Sequence, residues 1–84
     1  MKIITLNKVI DFKKYALKRC KIVYCKGENF LKGVEGIILP FVKEFGRKKV
    51  MCCLIVDKNY FGKDISFEKG DIIFLLKGDK IKIL

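Results

Sequence analysis

The 84-residue chain contains no histidine and no tryptophan, and its only aliphatic hydroxyls are Ser66 and Thr5. Without imidazole, and with hydroxyls so scarce, the common nucleophile-and-base sets cannot be assembled. The nine carboxylates are scattered and form no i, i+3 or i, i+4 pair inside a credible helix. Only cysteine–lysine or isolated carboxylate chemistry remains, so the expectation is a protein that is not an enzyme and uses no cofactor. No apolar run approaches the roughly 20 residues of a membrane-spanning helix, and the N-terminus lacks the charged, apolar and small-residue regions of a secretory signal. These absences point to a cytoplasmic chain without a membrane partner. There is no linker or low-complexity tract, and residues 1–84 read as one domain.

Metal-ligand spacing is missing as well. Four cysteines are present, but none belongs to a C-x-x-C pair. Adjacent Cys52 and Cys53 would face opposite sides of a strand, so four thiolates cannot easily converge. Buried, reduced side chains acting as small hydrophobes are the expectation, with no metal site.

What is abundant is positive charge and apolar surface. Nineteen Lys and Arg against nine Asp and Glu give a net charge of +10 and a pI near 9.6. Such a balance favours anionic partners, nucleic acid above all. Lysine supplies nearly all of it, a bias that thermophile proteins also show without binding anything. The chain is 51 % hydrophobic with a mean hydropathy of +0.21, rich for a domain this small. Apolar side chains should remain uncovered on a monomer, so a homo-oligomer or a protein partner is expected.

Val50-Met51-Cys52-Cys53-Leu54-Ile55-Val56 is the only seven-residue run free of polar residues, glycine and proline. In an extended chain both of its faces are apolar, which predicts a central strand covered above and below. Lys2 to Leu6 reads as a strand. From Val9 to Cys20 the apolar positions Val9, Ile10, Phe12, Ala16, Leu17 and Cys20 follow helical spacing, with lysines opposite, and predict an amphipathic helix laid on the sheet. Ile22 to Cys25 reads as a second strand. Pro40 to Gly46 fits a single helical turn, with Pro at its start and Gly after its end. The same residues also fit a hairpin whose Gly46-Arg47 loop sets Glu44 opposite Lys49. Pro40 favours the helical turn. Near the C-terminus the Lys-Gly-Asp of Lys69-Gly70-Asp71 recurs at Lys77-Gly78-Asp79. Gly78-Asp79 then suggests a hairpin that pairs Leu76 with Ile81 and Phe74 with Ile83, packed inward. The predicted fold class is α+β: a strongly bent, mainly antiparallel sheet or partly closed small β-barrel with one N-terminal helix packed on it.

One segment carries a family likeness. Lys32-Gly33-Val34-Glu35-Gly36-Ile37-Ile38 resembles the K-G-x-x-G-x-V core of the KOW motif, found on small barrels of ribosomal and transcription-elongation proteins. The resemblance implies a tight glycine loop approaching RNA or a partner protein. It would place Lys32, Gly33 and Gly36 in that loop, with Lys26 and Gly27 at the preceding strand end. An ordinary β-turn would use the glycines in the same way. With the basic loop Arg47, Lys48 and Lys49, and with Phe30, Tyr60 and Phe61 in expected loops, the functional expectation is a small RNA-binding module. Lys26, Lys32, Gly33, Gly36, Arg47, Lys48 and Lys49 are its candidate contacts. The alternative is a protein-interaction or structural subunit.

Overall fold

A computed structural model describes residues 2–8, 12–25 and 29–84, the side chains of Phe12 and Asn29 excepted. In order the chain forms β1 (Lys2–Thr5), α1 (Phe12–Tyr15), β2 (Arg19–Tyr24) and a one-turn 3-10 helix (Asn29–Leu31). There follow β3 (Glu35–Leu39), β4 (Lys43–Phe45), β5 (Lys48–Val56), β6 (Tyr60–Phe61), β7 (Ser66–Phe67), β8 (Ile72–Leu76) and β9 (Lys80–Ile83). Among the described residues every strand pairing is antiparallel. The main sheet runs β1-β9-β2-β3-β5, with β4 sharing the β3 edge of β5 and β8 on its other edge.

The apolar run lies where its composition demands. β5 is paired along both edges, and residues 50–54 and 56 are buried. A bulge at Met51, where Val50 meets Leu76 but Cys52 meets Leu75, turns two successive side chains inward. Met51, Cys52, Leu54 and Val56 therefore join the inner core with Leu6, Ile22, Ile38, Leu75 and Ile81, while Val50 and Cys53 lie on the other face.

The fold is an open, nearly all-β sheet, which corrects the α+β reading of a helix packed on a bent sheet or partly closed barrel. Among the described residues the α-helix is four residues long; Val9 and Ile10 of the expected helix lie outside them. Leu17 adopts φ +63° and is largely exposed, ending the turn instead of burying its side chain. That conformation costs a non-glycine residue roughly 1–2 kcal/mol. It is held by two bonds to the sheet: Leu17 N–H donates to the Ile38 carbonyl (2.8 Å) and Ile38 N–H to the Lys18 carbonyl (3.0 Å). From Arg19 the chain follows the two-residue period, with Cys20 and Ile22 buried and their neighbours more exposed. Cys20 thus belongs to β2, opposite Gly36 and Ile83.

Two further expectations change for physical reasons. β3 and β4 form one long arm against β5, interrupted at Pro40, which has no N–H for the ladder. The hairpin reading of this stretch is the observed one: Phe45 meets Lys48, Glu44 meets Lys49, and Gly46 takes the positive φ (+59°) of a two-residue loop. At the C-terminus β8 pairs with β5, and β9 inserts between β1 and β2, so the expected β8–β9 hairpin is absent. Leu76 to Asp79 is instead a corner, with Asp79 N–H donating to the Leu76 carbonyl at 3.1 Å. Three strands separate β8 from β9 in the order, roughly 19 Å on a flat sheet. A β-turn spans less than about 7 Å, so the sheet must curl, while its ladder stays open between them.

The Lys-Gly-Asp repeat is one device used twice. Gly70 and Gly78 have φ of +102° and +96°. Asp71 Oδ2 accepts from Glu68 N–H at 2.8 Å, and Asp79 Oδ2 accepts from Leu76 N–H at 2.9 Å. In each turn the aspartate satisfies a backbone donor three residues upstream.

Candidate binding face

Residues directly opposite one another in an antiparallel ladder share a face. On the outer face Ile37 meets Ile55, Leu39 meets Cys53, Cys53 meets Phe74, and Ile55 meets Ile72. Val50 meets both Lys43 and Leu76, and Phe45 meets Lys48. The strand composition thus builds an apolar surface opposite the core. Beyond Pro40 the chain brings Phe41 over it, with the Phe41 ring centroid 5.9 Å and the Phe45 ring centroid 6.3 Å from that of Phe74.

These rings remain accessible. Phe41, Phe45 and Phe74 are 37 %, 47 % and 51 % exposed, and Ile72 is 58 % exposed. At about 150–250 Å² for a whole aromatic side chain, the four leave roughly 300–400 Å² of apolar area on one face. That matches the largest patch on a typical monomer, which is often functional. Lys43 Nζ lies 5.0 Å over the Phe45 ring, and Lys48 stands beside it. A groove of about 410 Å³ continues the face past β8, lined by Phe30, Leu31, Phe45, Lys48, Phe67 and Phe74 among others.

The sequence-selected residues divide. Lys32 and Gly33 form a turn after the 3-10 helix, where Gly33 has φ +98°. Gly33 N–H donates to the Ile22 carbonyl (2.8 Å), and Tyr60 Oη donates to the Lys32 carbonyl (3.0 Å). Gly36 is not in that loop. It lies buried in β3, where a Cβ would stand 2.7 Å from Leu54 Cγ, 2.9 Å from the Ile55 carbonyl carbon, and closer still to its oxygen. Its role is close strand packing. Arg47 lies in the β4–β5 loop. Lys48 shares the outer face with Phe45, whereas Lys49, opposite Glu44, points to the other side. Lys26 and Gly27 lie outside the described residues.

Of the aromatics singled out, Phe30 lines the groove and Phe61 is 81 % exposed. Tyr60 is committed to the core edge and to Lys32. Phe41, Phe45 and Phe74 were not selected from sequence. The signal existed in Ile72-Ile73-Phe74-Leu75-Leu76, since an edge strand covered on one face exposes alternate positions. The assumed β8–β9 hairpin assigned Phe74 inward, whereas Ile73 and Leu75 are the buried pair.

One ion-pair network away from this face is structural. Arg19 Nε donates to Asp57 Oδ2 at 2.7 Å, and Arg19 Nη2 donates to Glu35 Oε1 at 3.3 Å, tying β2, β3 and the end of β5. The guanidinium holds the Asp57 carboxyl below its ordinary range. Cys20, Cys25, Cys52 and Cys53 are buried free thiols. Desolvation pushes Cys20 and Cys52 up to about 12, which makes them poor thiolate ligands or nucleophiles. No described helix is long and apolar enough to cross a membrane. Compared with protein-family models, with curated proteins and with solved structures, the chain matches none.

Proposed function

We propose that the chain is a non-catalytic, cytoplasmic module for single-stranded nucleic acid, RNA in preference, which it holds on the outer face of β3, β4, β5 and β8. The observation that carries this reading is the cluster of three half-exposed phenylalanine rings with Lys43 and Lys48 on the same face. Every base offers a π-face to such rings, and stacking contributes about 1–3 kcal/mol per base. The lysines, Arg47 in the adjoining loop and the +10 net charge serve the phosphates. Of the contacts expected from sequence, this reading keeps Arg47 and Lys48 of the basic loop and leaves out Lys49 and the KOW-like Lys32, Gly33 and Gly36.

A protein partner is the second reading, favoured by the aliphatic share of the same face, Leu39, Ile55 and Ile72. Fluorescence anisotropy of labelled single-stranded RNA and DNA oligonucleotides at about 50 and about 200 mM salt decides between them. With about three or four phosphates contacted, the slope of log affinity against log salt should be roughly −2 to −3. Absent binding, or binding indifferent to salt, removes the nucleic-acid reading and leaves the protein one.

A further inference from the structure

We propose that β8 is a self-association edge, on which a second copy of this chain adds its own β8 antiparallel about a two-fold axis through Phe74. The argument rests on backbone pairing and charge, independently of whether the face binds nucleic acid.

Val56 N–H donates to the Asp71 carbonyl at 2.8 Å. In an antiparallel ladder such bonded pairs recur at every second residue. Ile73 and Leu75 therefore turn their backbone groups to β5, and Ile72, Phe74 and Leu76 turn theirs outward. The Leu76 N–H is taken by Asp79 Oδ2. The N–H and C=O of Ile72 and Phe74 have no partner among the described residues. Natural edges are usually guarded by a charge, a proline or a bulge. Apart from the Asp79 carboxylate on Leu76, Ile72 to Leu76 has none of these on its outer side, and it is apolar throughout.

The occupant is identified by the sequence on either side. With Phe74 on the axis, Ile72 meets Leu76 of the second copy and Ile73 meets its Leu75. The next positions bring Asp71 against Lys77, both exposed. The two turns that bound β8 thus make its flanks self-complementary, a cation facing an anion at each of two positions. Phe74 supplies two backbone bonds, Phe74 N–H to the Phe74 carbonyl of the copy and the reciprocal one, and each Ile72 N–H meets the Leu76 carbonyl of the copy, which it shares with Asp79 N–H. The pairing is isologous, so it closes at a dimer. It also joins the two outer faces into one surface.

Sedimentation equilibrium over a wide concentration range tests the association, with a cysteine pair to read the register. Two copies of +10 repel at long range, so added salt should strengthen the dimer, opposite in sign to nucleic-acid binding. Ile72→Lys, at an exposed position, should raise the dimer dissociation constant about tenfold or more while the far-ultraviolet circular dichroism is unchanged. Phe74→Cys should cross-link to itself on mild oxidation, since paired residues lie about 5.5 Å apart at Cα. Ile72→Cys should not, because the two copies of residue 72 would stand about 13 Å apart. A wild-type chain that stays monomeric at the highest concentration overturns the proposal. So does a dimer in which both cysteine variants cross-link equally, or in which neither does.

Discussion

Substituting Gly36 by alanine separates a packing glycine from a loop glycine. A Cβ at this position meets the backbone of Ile55 as well as the Leu54 side chain, with its nearest carbon contacts at 2.7 and 2.9 Å. Ordinary carbon contacts need about 3.5–4.0 Å, so β3 and β5 must separate by most of an ångström. Both strands are paired on their far edges, β3 to β2 and β5 to β8, which leaves little room to relax. Overpacking of this kind costs about 2–3 kcal/mol. Relief of glycine's backbone entropy returns at most about 0.5–1 kcal/mol, so destabilisation wins. A chain of this size has about 4–13 kcal/mol in total, and the net loss should lower Tm by roughly 5–20 °C. Thermal unfolding followed by circular dichroism measures it. A Gly36→Ala protein that melts within about 2 °C of the wild type refutes the strand placement, and weakened RNA affinity at unchanged Tm would restore the glycine to a contact loop.

Two other outcomes follow from burial and charge. All four thiols are shielded and two are pushed up to about 12, so alkylation at mildly alkaline pH should be negligible in the native protein and complete in denaturant; rapid native labelling of Cys20 or Cys52 would contradict the buried core. Asp57 has a lowered pKa beside Arg19, so its contribution is full above its unfolded value near 3.8 and fades as pH falls through the lowered one. Asp57→Asn should therefore reduce the urea midpoint at about pH 6, with the difference shrinking as pH falls below about 3.8, and an effect that does not change with pH would show that the ion pair is not responsible.

The strand at residues 50–56 was legible because an unbroken apolar run needs cover on both faces, and β5 has it. The Gly46-Arg47 hairpin was legible as an alternative, but Pro40 argued for a helix, and only the pairing of residues on both sides of Pro40 with β5 resolves the two. Residues 12–20 misled because Ala16, Leu17 and Cys20 fit helical spacing by coincidence. The positive φ of Leu17, held by Ile38, is a tertiary effect without local signature. Gly36 shows the limit of motif reading: the same glycine serves a turn or a close strand approach, and only its neighbour Ile55 distinguishes them. The phenylalanine face is not legible in the sequence, for a topological reason. Phe41, Phe45 and Phe74 come from separate segments, and their convergence depends on β8 pairing with β5 and not with β9.

The claim that the outer face is the working surface is tested most directly by amide chemical-shift mapping of the labelled protein during titration with a single-stranded RNA. Shifts should centre on Phe41, Phe45, Lys48 and Phe74 and leave the Lys32-Gly33 turn and Phe61 unmoved. Perturbations confined to that turn, with the three rings silent, would contradict the account.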